Sequence, residues 1–151
     1  MTNTMQSNLF SAVCSNEQTS FYQFHVLSYC VKILHVEDVP EISQIFADIL
    51  STKNCEFESV SDGRAGLELA VYHDYDLILL DMCMPKYSGV DFLLDLKHRR
   101  PTQLSKVVIV SALEMSSLQE QELLNLGIRS ILRKPISVQG LLSQIQQKIA
   151  F

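Results

Sequence analysis

From position 31 onward, short apolar runs alternate with longer segments in which apolar residues recur every three or four positions. The short runs are rich in β-branched residues and leucine, which is typical of strands that are buried on both faces of a sheet. Five strands are predicted in this way, at 31–36, 55–60, 76–80, 106–110 and 129–133. Because helical segments separate them, we predict an α/β fold: a doubly wound, five-stranded parallel sheet covered by helices on both faces.

The segments between and after the strands have the period of amphipathic helices. The predicted inward-facing residues of the first helix are Ile42, Ile45, Phe46, Ile49 and Leu50, those of the third are Val90, Leu93 and Leu94, and those of the last are Val138, Leu141, Leu142, Ile145 and Ile149. The predicted helix starts are Pro40, Asp62, Ser88 or Gly89, a capping box of Ser117 and Glu120, and Ser137. Gly127 is predicted to take a left-handed conformation at the end of the fourth helix.

Residues 1–30 differ in kind from residues 31–151. The first part carries one formal charge, Glu17, among many Ser, Thr, Asn and Gln residues, whereas the second part is densely charged and periodic. We therefore predict a boundary near Cys30 between an N-terminal extension (1–30) and a folded domain (31–151). Two interpretations of the extension stay open: a mostly mobile tail, or an arm that packs on the domain or on a second copy in a homodimer.

Composition and charge exclude several classes of protein. A net charge of −5, with no basic run longer than the four residues 97–100, argues against a nucleic-acid partner. No apolar stretch approaches the ~20 residues that a membrane span needs, and residues 1–30 contain no Lys or Arg for a signal peptide. The four cysteines have neither zinc-ligand spacing nor a C-x-x-C motif, so reduced thiols in the cytoplasm are expected.

Polar residues cluster at the predicted carboxyl ends of the strands, the edge at which open α/β sheets bind ligands. They are Glu37, Asp38, Asp81, Ser111 and Lys134. Taken singly, each has an ordinary structural explanation, such as a helix cap for Asp38 or a turn for Asp81. Taken together, three acids, one hydroxyl and one ammonium at a partly buried edge compensate one another.

Three clustered carboxylates need cations, because two unit charges ~4 Å apart repel by about 4 kcal/mol at an effective dielectric constant of 20. Lys134 neutralises one charge, and the remainder suits a hard divalent ion with oxygen ligands, above all Mg²⁺. With Asp81 as nucleophile, Ser111 as hydrogen-bond donor, and the metal and Lys134 stabilising phosphoryl oxygens, the set predicts phosphoryl transfer.

Four segments resemble the receiver domain of two-component response regulators: "ILHVEDVPEI", "LILLDMCMPKYSGVDFL", "VVIVSA" and "ILRKPIS". They occur in the family's order, and the residues Asp38, Asp81, Ser111 and Lys134 are spaced by 43, 30 and 23 positions. The resemblance covers residues 31–151. It implies a flavodoxin-like sheet with strand order 2-1-3-4-5 and a signalling module rather than an enzyme.

The resemblance also implies a role for each acid. Asp81 would accept a phosphoryl group from the phosphohistidine of a sensor histidine kinase or a histidine phosphotransfer protein. The cofactor would be Mg²⁺, held by Asp38, Asp81 and the backbone carbonyl of Cys83, with Glu37 acting through water.

Ser111 would bond the phosphoryl oxygen, Lys134 would pair with the phosphate, and the bond from Lys134 to Pro135 is expected to be cis. Members of the family usually have an aromatic switch residue at the position of Ile131, so the usual coupling to the far surface is in question. No output region follows Phe151 in this sequence. The resemblance therefore implies a stand-alone receiver that binds a downstream protein through its fourth helix, fifth strand and fifth helix.

Other functions stay in competition. A receiver that docks or dimerises without phosphorylation is the main alternative, and Ile131 favours it. A haloacid dehalogenase-type phosphatase would need a second Asp at the position of Cys83, and a nucleotide or flavin binder would need a Gly-rich phosphate loop after the first strand. Cys83 as a redox sensor is a minor alternative, and His35 is predicted to be a packed core residue.

Overall fold

The computed structural model describes residues 30–149, with side chains up to Gln147. Nearly all of the predicted N-terminal extension lies outside the described residues, so its proposed roles stay predictions, as does the boundary near Cys30. The predicted burial of Ile149 lies outside the described side chains as well. Within residues 30–149, no helix combines the length and the apolar character needed to span a membrane.

Five strands and five helices alternate along the described chain. The strands are β1 (Val31–Val36), β2 (Cys55–Val60), β3 (Leu77–Asp81), β4 (Val107–Ser111) and β5 (Ser130–Arg133). The helices are α1 (Pro40–Ser51), α2 (Gly63–Tyr72), α3 (Gly89–Arg99), α4 (Ser117–Asn125) and α5 (Val138–Ile149), and a 3₁₀-helix (Pro101–Lys106) precedes β4. All neighbouring strands are parallel and their order is β2-β1-β3-β4-β5, which confirms the predicted fold.

The predicted strand bounds agree closely with the structure. β1 and β2 begin and end at the predicted residues. β3 and β4 each begin and end one residue later than predicted, and β5 begins one residue later. Every residue of β3 and β4 is buried, because helices cover both faces of the sheet. These two interior strands therefore carry a charged or a hydroxyl side chain at the end of a wholly buried run.

Apolar side chains form one core layer on each face of the sheet. On one face the core contains Leu34, Val36, Ile78, Leu80, Ile109, Leu67, Ala70, Phe92, Leu93 and Leu96, from strands, α2 and α3. On the other face it contains Val31, Ile33, Leu77, Leu79, Val108, Val110, Phe46, Leu50, Leu141 and Ile145, from strands, α1 and α5. Successive strand residues alternate between the two layers, as the pleat requires.

The predicted helix faces are wrong at four positions: Ile45, Val90, Leu94 and Val138 are exposed. In α3, the sheet is contacted by Phe92, Leu93 and Leu96, and the side chains at 90 and 94 lie roughly 100° or more around the helix from that line. In α1, Phe46 and Leu50 are the buried residues. The periodicity identified the correct helices but predicted too wide a buried stripe.

The helix starts agree with the predictions except at α4. Asp62 accepts the Ala65 N–H at 2.8 Å, and Ser88 caps α3. The predicted left-handed conformation after the end of α4 is also observed, since Gly127 has φ +101°. The predicted capping box of Ser117 and Glu120 is wrong, because the observed one consists of Ser116 and Gln119. Each of these serines is followed three residues later by Gln or Glu, so the sequence permits both registers.

Candidate functional site

The carboxyl ends of four strands bring the predicted site residues to one edge of the sheet. Glu37 and Asp38 follow β1, Asp81 is the last residue of β3, Ser111 is the last residue of β4, and Lys134 follows β5. β1, β3, β4 and β5 are consecutive neighbours in the parallel sheet, so their ends point the same way. The sequence prediction that these residues share an edge is confirmed.

The three acids converge closely. One carboxylate oxygen of each of Glu37, Asp38 and Asp81 lies within 4.8 Å of the others. Glu37 is 1 % exposed and Asp81 is 4 % exposed, whereas Asp38 is partly exposed. Carboxylates removed from water in this way need compensation from a cation.

Lys134 supplies part of that compensation and is shared between two acids. Its Nζ donates to Glu37 Oε2 at 2.6 Å and to Asp81 Oδ1 at 3.2 Å. Burial raises the pKa of Glu37 above its ordinary value, with the charge of Asp81 acting in the same direction against the Lys134 hydrogen bond. Burial alone would lower the pKa of Lys134, but the bond to Glu37 and the charge of Asp81 outweigh it, so this pKa is raised.

Backbone amides orient the two buried carboxylates. The Cys83 N–H donates to Asp81 Oδ2 at 3.1 Å, and the Val39 N–H donates to Glu37 Oε1 at 3.3 Å. Because Lys134 holds the other oxygen of each group, both carboxylates are fixed at two points. Such hydrogen bonds to ionised acceptors are stronger than those between neutral groups, and they keep the oxygens in place before any ligand binds.

The loop after β3 passes close to the site, and Gly89, which the sequence offered as a possible start of α3, lies against the end of that strand. A Cβ on Gly89 would lie 2.7 Å from the carbonyl oxygen of Asp81, so a side chain does not fit without movement. Lys86 in the same loop has φ +68°, a conformation that is uncommon for a residue other than glycine. The peptide bond between Lys134 and Pro135 is cis, as the resemblance implied.

Ser111 and Ile131 lie on the side of the site formed by β4 and β5. Ser111 is buried; its Oγ accepts the Leu113 N–H at 3.0 Å and its carbonyl accepts the Lys134 N–H at 2.8 Å. Ile131 pairs with Ile109 in the sheet and packs, partly buried, against the apolar core. The position thus holds an aliphatic side chain that packs against the core layer.

Two other ionisable residues near the site have structural explanations. His35 is buried and stacks on Phe46 with ring centroids 4.6 Å apart, and burial, together with the charge of Lys134, lowers its pKa to about 3. It is therefore a neutral core residue, as predicted. Burial and the charge of Asp81 raise the pKa of the Cys83 thiol, which disfavours a reactive thiolate.

The donor set fits a hard divalent cation. Three carboxylates and one ammonium leave an excess of negative charge, and all the converging ligand atoms are oxygens. Oxygen ligands at partial coordination, with room for water, are what Mg²⁺ takes in phosphoryl-transfer sites. Glu37, Asp38 and Asp81 are the residues that would hold it.

Comparisons with known proteins agree with this geometry. The family model of the response regulator receiver domain matches residues 33–146. The aerobic respiration control sensor protein ArcB of Escherichia coli K12 is 33% identical over 119 residues, which cover 78% of this chain and 15% of the sensor protein. The chain thus spans a small part of that relative's length.

Solved structures show the same fold. The receiver domain of the Francisella response regulator 1452 superposes with a TM-score of 0.69 and 27% identity, over 79% of this chain and 96% of that chain. The receiver domain of the sensor histidine kinase PA1611 of Pseudomonas aeruginosa PAO1, which has a magnesium ion in its active-site cleft, superposes with a TM-score of 0.69 at 22% identity, over 82% and 100% of the two chains. From the family match together with the fold and the acidic edge, this chain belongs to the response regulator receiver domain family.

Proposed function

We propose that this receiver is a phosphoacceptor in a two-component phosphorelay and that Asp81 is the residue phosphorylated. Receiver domains act with histidine kinases in two-component systems, as signalling modules rather than conventional enzymes. The donor is the phosphohistidine of a sensor kinase or of a histidine phosphotransfer protein. A carboxylate oxygen of Asp81 attacks phosphorus, the bond from phosphorus to the imidazole nitrogen breaks, and the leaving imidazole takes up a proton.

The observation that carries the proposal is the convergence of Glu37, Asp38 and Asp81 with the Lys134 ammonium bonded to two of them. A buried cluster with excess negative charge destabilises the fold unless a bound cation neutralises part of that charge. In this proposal Asp38, Asp81 and the Cys83 carbonyl hold Mg²⁺ and Glu37 acts through water. When bound, the cation would neutralise charge on the phosphoryl oxygens, and the magnesium ion in the cleft of the PA1611 receiver supports this choice of metal.

The remaining residues of the edge act on the phosphoryl group itself. Lys134 already donates to Asp81 Oδ1, so its ammonium is placed to pair with a group added to that carboxylate. Ser111 is the last residue of β4, which pairs directly with β3, and its hydroxyl is proposed to donate to a phosphoryl oxygen. Both roles orient the group and stabilise its charge.

Binding of beryllofluoride, which mimics an acyl phosphate, tests the proposal. In ¹⁹F NMR, the wild type with Mg²⁺ should show a bound resonance that disappears with EDTA and in Asp81→Asn. Asp48→Asn is the matched control, because Asp48 is an exposed acid on α1 whose carboxylate accepts a hydrogen bond from Gln44 in the same helix. It should bind beryllofluoride as the wild type does, whereas a wild type without any bound resonance contradicts the proposal.

We propose that the output is binding to a downstream protein, regulated by the phosphoryl group, which adds nearly two negative charges. A cytoplasmic location is part of the proposal, and the free thiols of Cys30 and Cys83 support it. The second candidate is an interaction module that works without phosphorylation. The aliphatic side chain of Ile131 favours it, and a partner that binds wild type and Asp81→Asn equally, with or without beryllofluoride, would establish it.

A further inference from the structure

Helix α4 is held to the domain by few contacts. None of its nine residues is buried, and Leu118 and Leu124 are 70 % and 41 % exposed. Leu123 is the apolar residue of α4 that packs, partly buried, against the core. A helix with so little buried apolar surface belongs to the least stable parts of a fold and moves at low cost in free energy.

One side-chain bond joins this helix to the sheet within residues 30–149. Arg133 Nη2 donates to Glu120 Oε1 at 2.5 Å, and Glu120 lies in the first turn of α4. The other side-chain hydrogen bonds of the α4 region are local: the capping box of Ser116 with Gln119, and Gln121 to Asn125. The ion pair therefore connects β5 to the N-terminal end of α4.

The backbone of Arg133 belongs to the phosphoacceptor edge. Arg133 pairs with Ser111 across β4 and β5, and the next residue, Lys134, donates its N–H to the Ser111 carbonyl and its Nζ to Glu37 and Asp81. A phosphoryl group on Asp81 would give Lys134 and Ser111 a new anionic partner. Any resulting shift of residues 133–134 is carried directly to the guanidinium of Arg133.

The covalent connection acts at the same end of the helix. Four residues, 112–115, link Ser111 to the capping residue Ser116, and the first three of them are exposed. The connection and the ion pair thus run in parallel from the site to the first turn of α4. A helix held at one end by two such links follows a displacement of the edge.

We propose that Arg133 is a positioning residue that couples the state of Asp81 to helix α4 through its ion pair with Glu120. The inference rests on the proposed phosphoacceptor function. It identifies the two residues through which a change at Asp81 reaches helix α4 at the protein surface. Because both side chains are partly exposed, the pair contributes little to folding, so variants that remove it are expected to fold. The pair instead makes the position of α4 depend on the ligand bound at the site.

Hydrogen exchange of the α4 amides, read by mass spectrometry with and without Mg²⁺ and beryllofluoride, tests the inference. In the wild type, ligand binding should change α4 exchange rates by at least about fivefold, the lower end of typical allosteric couplings. In Arg133→Gln this ratio should fall toward one, because only the covalent connection through residues 112–115 then links the site to α4. The double variant Arg133→Glu with Glu120→Arg should restore it, because the reversed charges re-form the pair.

The control is Lys32→Gln, which removes another exposed ion pair of the same sheet, that of Lys32 with Glu56 on β2, and should leave the ratio unchanged. If Arg133 merely stabilises α4, its loss raises exchange equally in both states, the ratio stays at the wild-type value, and the inference is wrong. The inference is also wrong if ligand binding leaves the exchange rates of the α4 amides in the wild type unchanged. The ¹⁹F resonance is read in parallel, so failure to bind beryllofluoride at all identifies failure of the proposed function itself.

Discussion

Replacing the proposed phosphoacceptor should make the protein more stable. Asp81→Asn removes one negative charge from a cluster of three buried or partly buried carboxylates and one ammonium. Asparagine has nearly the same size and keeps an oxygen that can accept the Cys83 N–H. The substitution therefore changes the charge with little change in packing.

The magnitude follows from the distances. At an effective dielectric constant of 20, unit charges 4.8 Å apart, the separation within which the carboxylate oxygens lie, repel by about 3.5 kcal/mol. The 3.2 Å contact of Asp81 with Lys134 attracts by about 5 kcal/mol on the same scale. Asp81 faces two carboxylates and one ammonium, so its charge costs about 2 kcal/mol of stability, and Asp81→Asn should raise the free energy of unfolding by about that amount.

Urea unfolding followed by circular dichroism at neutral pH in EDTA measures this difference. Excess MgCl₂ should narrow it, because a cation that binds only the folded wild type stabilises the wild type. Asp48→Asn, on the exposed face of α1, should stay within about 0.5 kcal/mol of the wild type in both buffers. An Asp81→Asn variant that is no more stable than the wild type in EDTA would refute the electrostatic reasoning.

Three further predictions concern the residues around the cluster. Because burial lowers the pKa of His35 from 6.5 to about 3, the unfolded chain binds a proton at this residue that the folded chain does not, and the contribution of His35 to stability should fall by up to about 1.4 kcal/mol per pH unit between pH 6.5 and about pH 3. Urea unfolding at a series of pH values should show a shallower slope for His35→Phe, and equal slopes contradict the assignment. Gly89→Ala should lower the free energy of unfolding by about 2 kcal/mol, because the added Cβ would lie 2.7 Å from the Asp81 carbonyl oxygen. An unchanged urea midpoint would show that the loop moves aside without a cost in stability. Lys134→Met leaves Glu37 and Asp81 without their ammonium and should cost about 3 kcal/mol in EDTA, part of which MgCl₂ recovers. Equal stability of Lys134→Met and wild type in EDTA would show that the ammonium does not compensate the acids.

The sheet and the site edge could be predicted because they rest on strong, local signals. A strand buried on both faces is a nearly continuous apolar run, and the run 76–80 ends directly at Asp81. Since parallel strands end at one edge, the order of the elements was enough to place Asp81, Ser111 and Lys134 together. The sequence therefore predicted that Glu37 and Lys134, 97 positions apart, lie near each other. It did not predict which of their atoms form the hydrogen bond.

The details that were missed depend on how helices are placed on the sheet. Periodicity indicates which side of α3 is apolar, but the angle at which the helix packs decides that Val90 and Leu94 are exposed. The start of α4 depends on a choice between two adjacent serines that have equivalent partners. The observed register, which begins the cap at Ser116, leaves Glu120 bonded to Arg133, and nothing in the local sequence distinguishes that outcome.

The most direct test of the central claim is the site of phosphorylation. The protein is incubated with acetyl phosphate, the acyl phosphate is trapped by borohydride reduction, and the modified peptide is sequenced by mass spectrometry. We expect modification at Asp81 with Mg²⁺ present and none with EDTA. Modification at another residue, or a wild type that stays unmodified with Mg²⁺, would contradict the assignment of Asp81 as the phosphoacceptor.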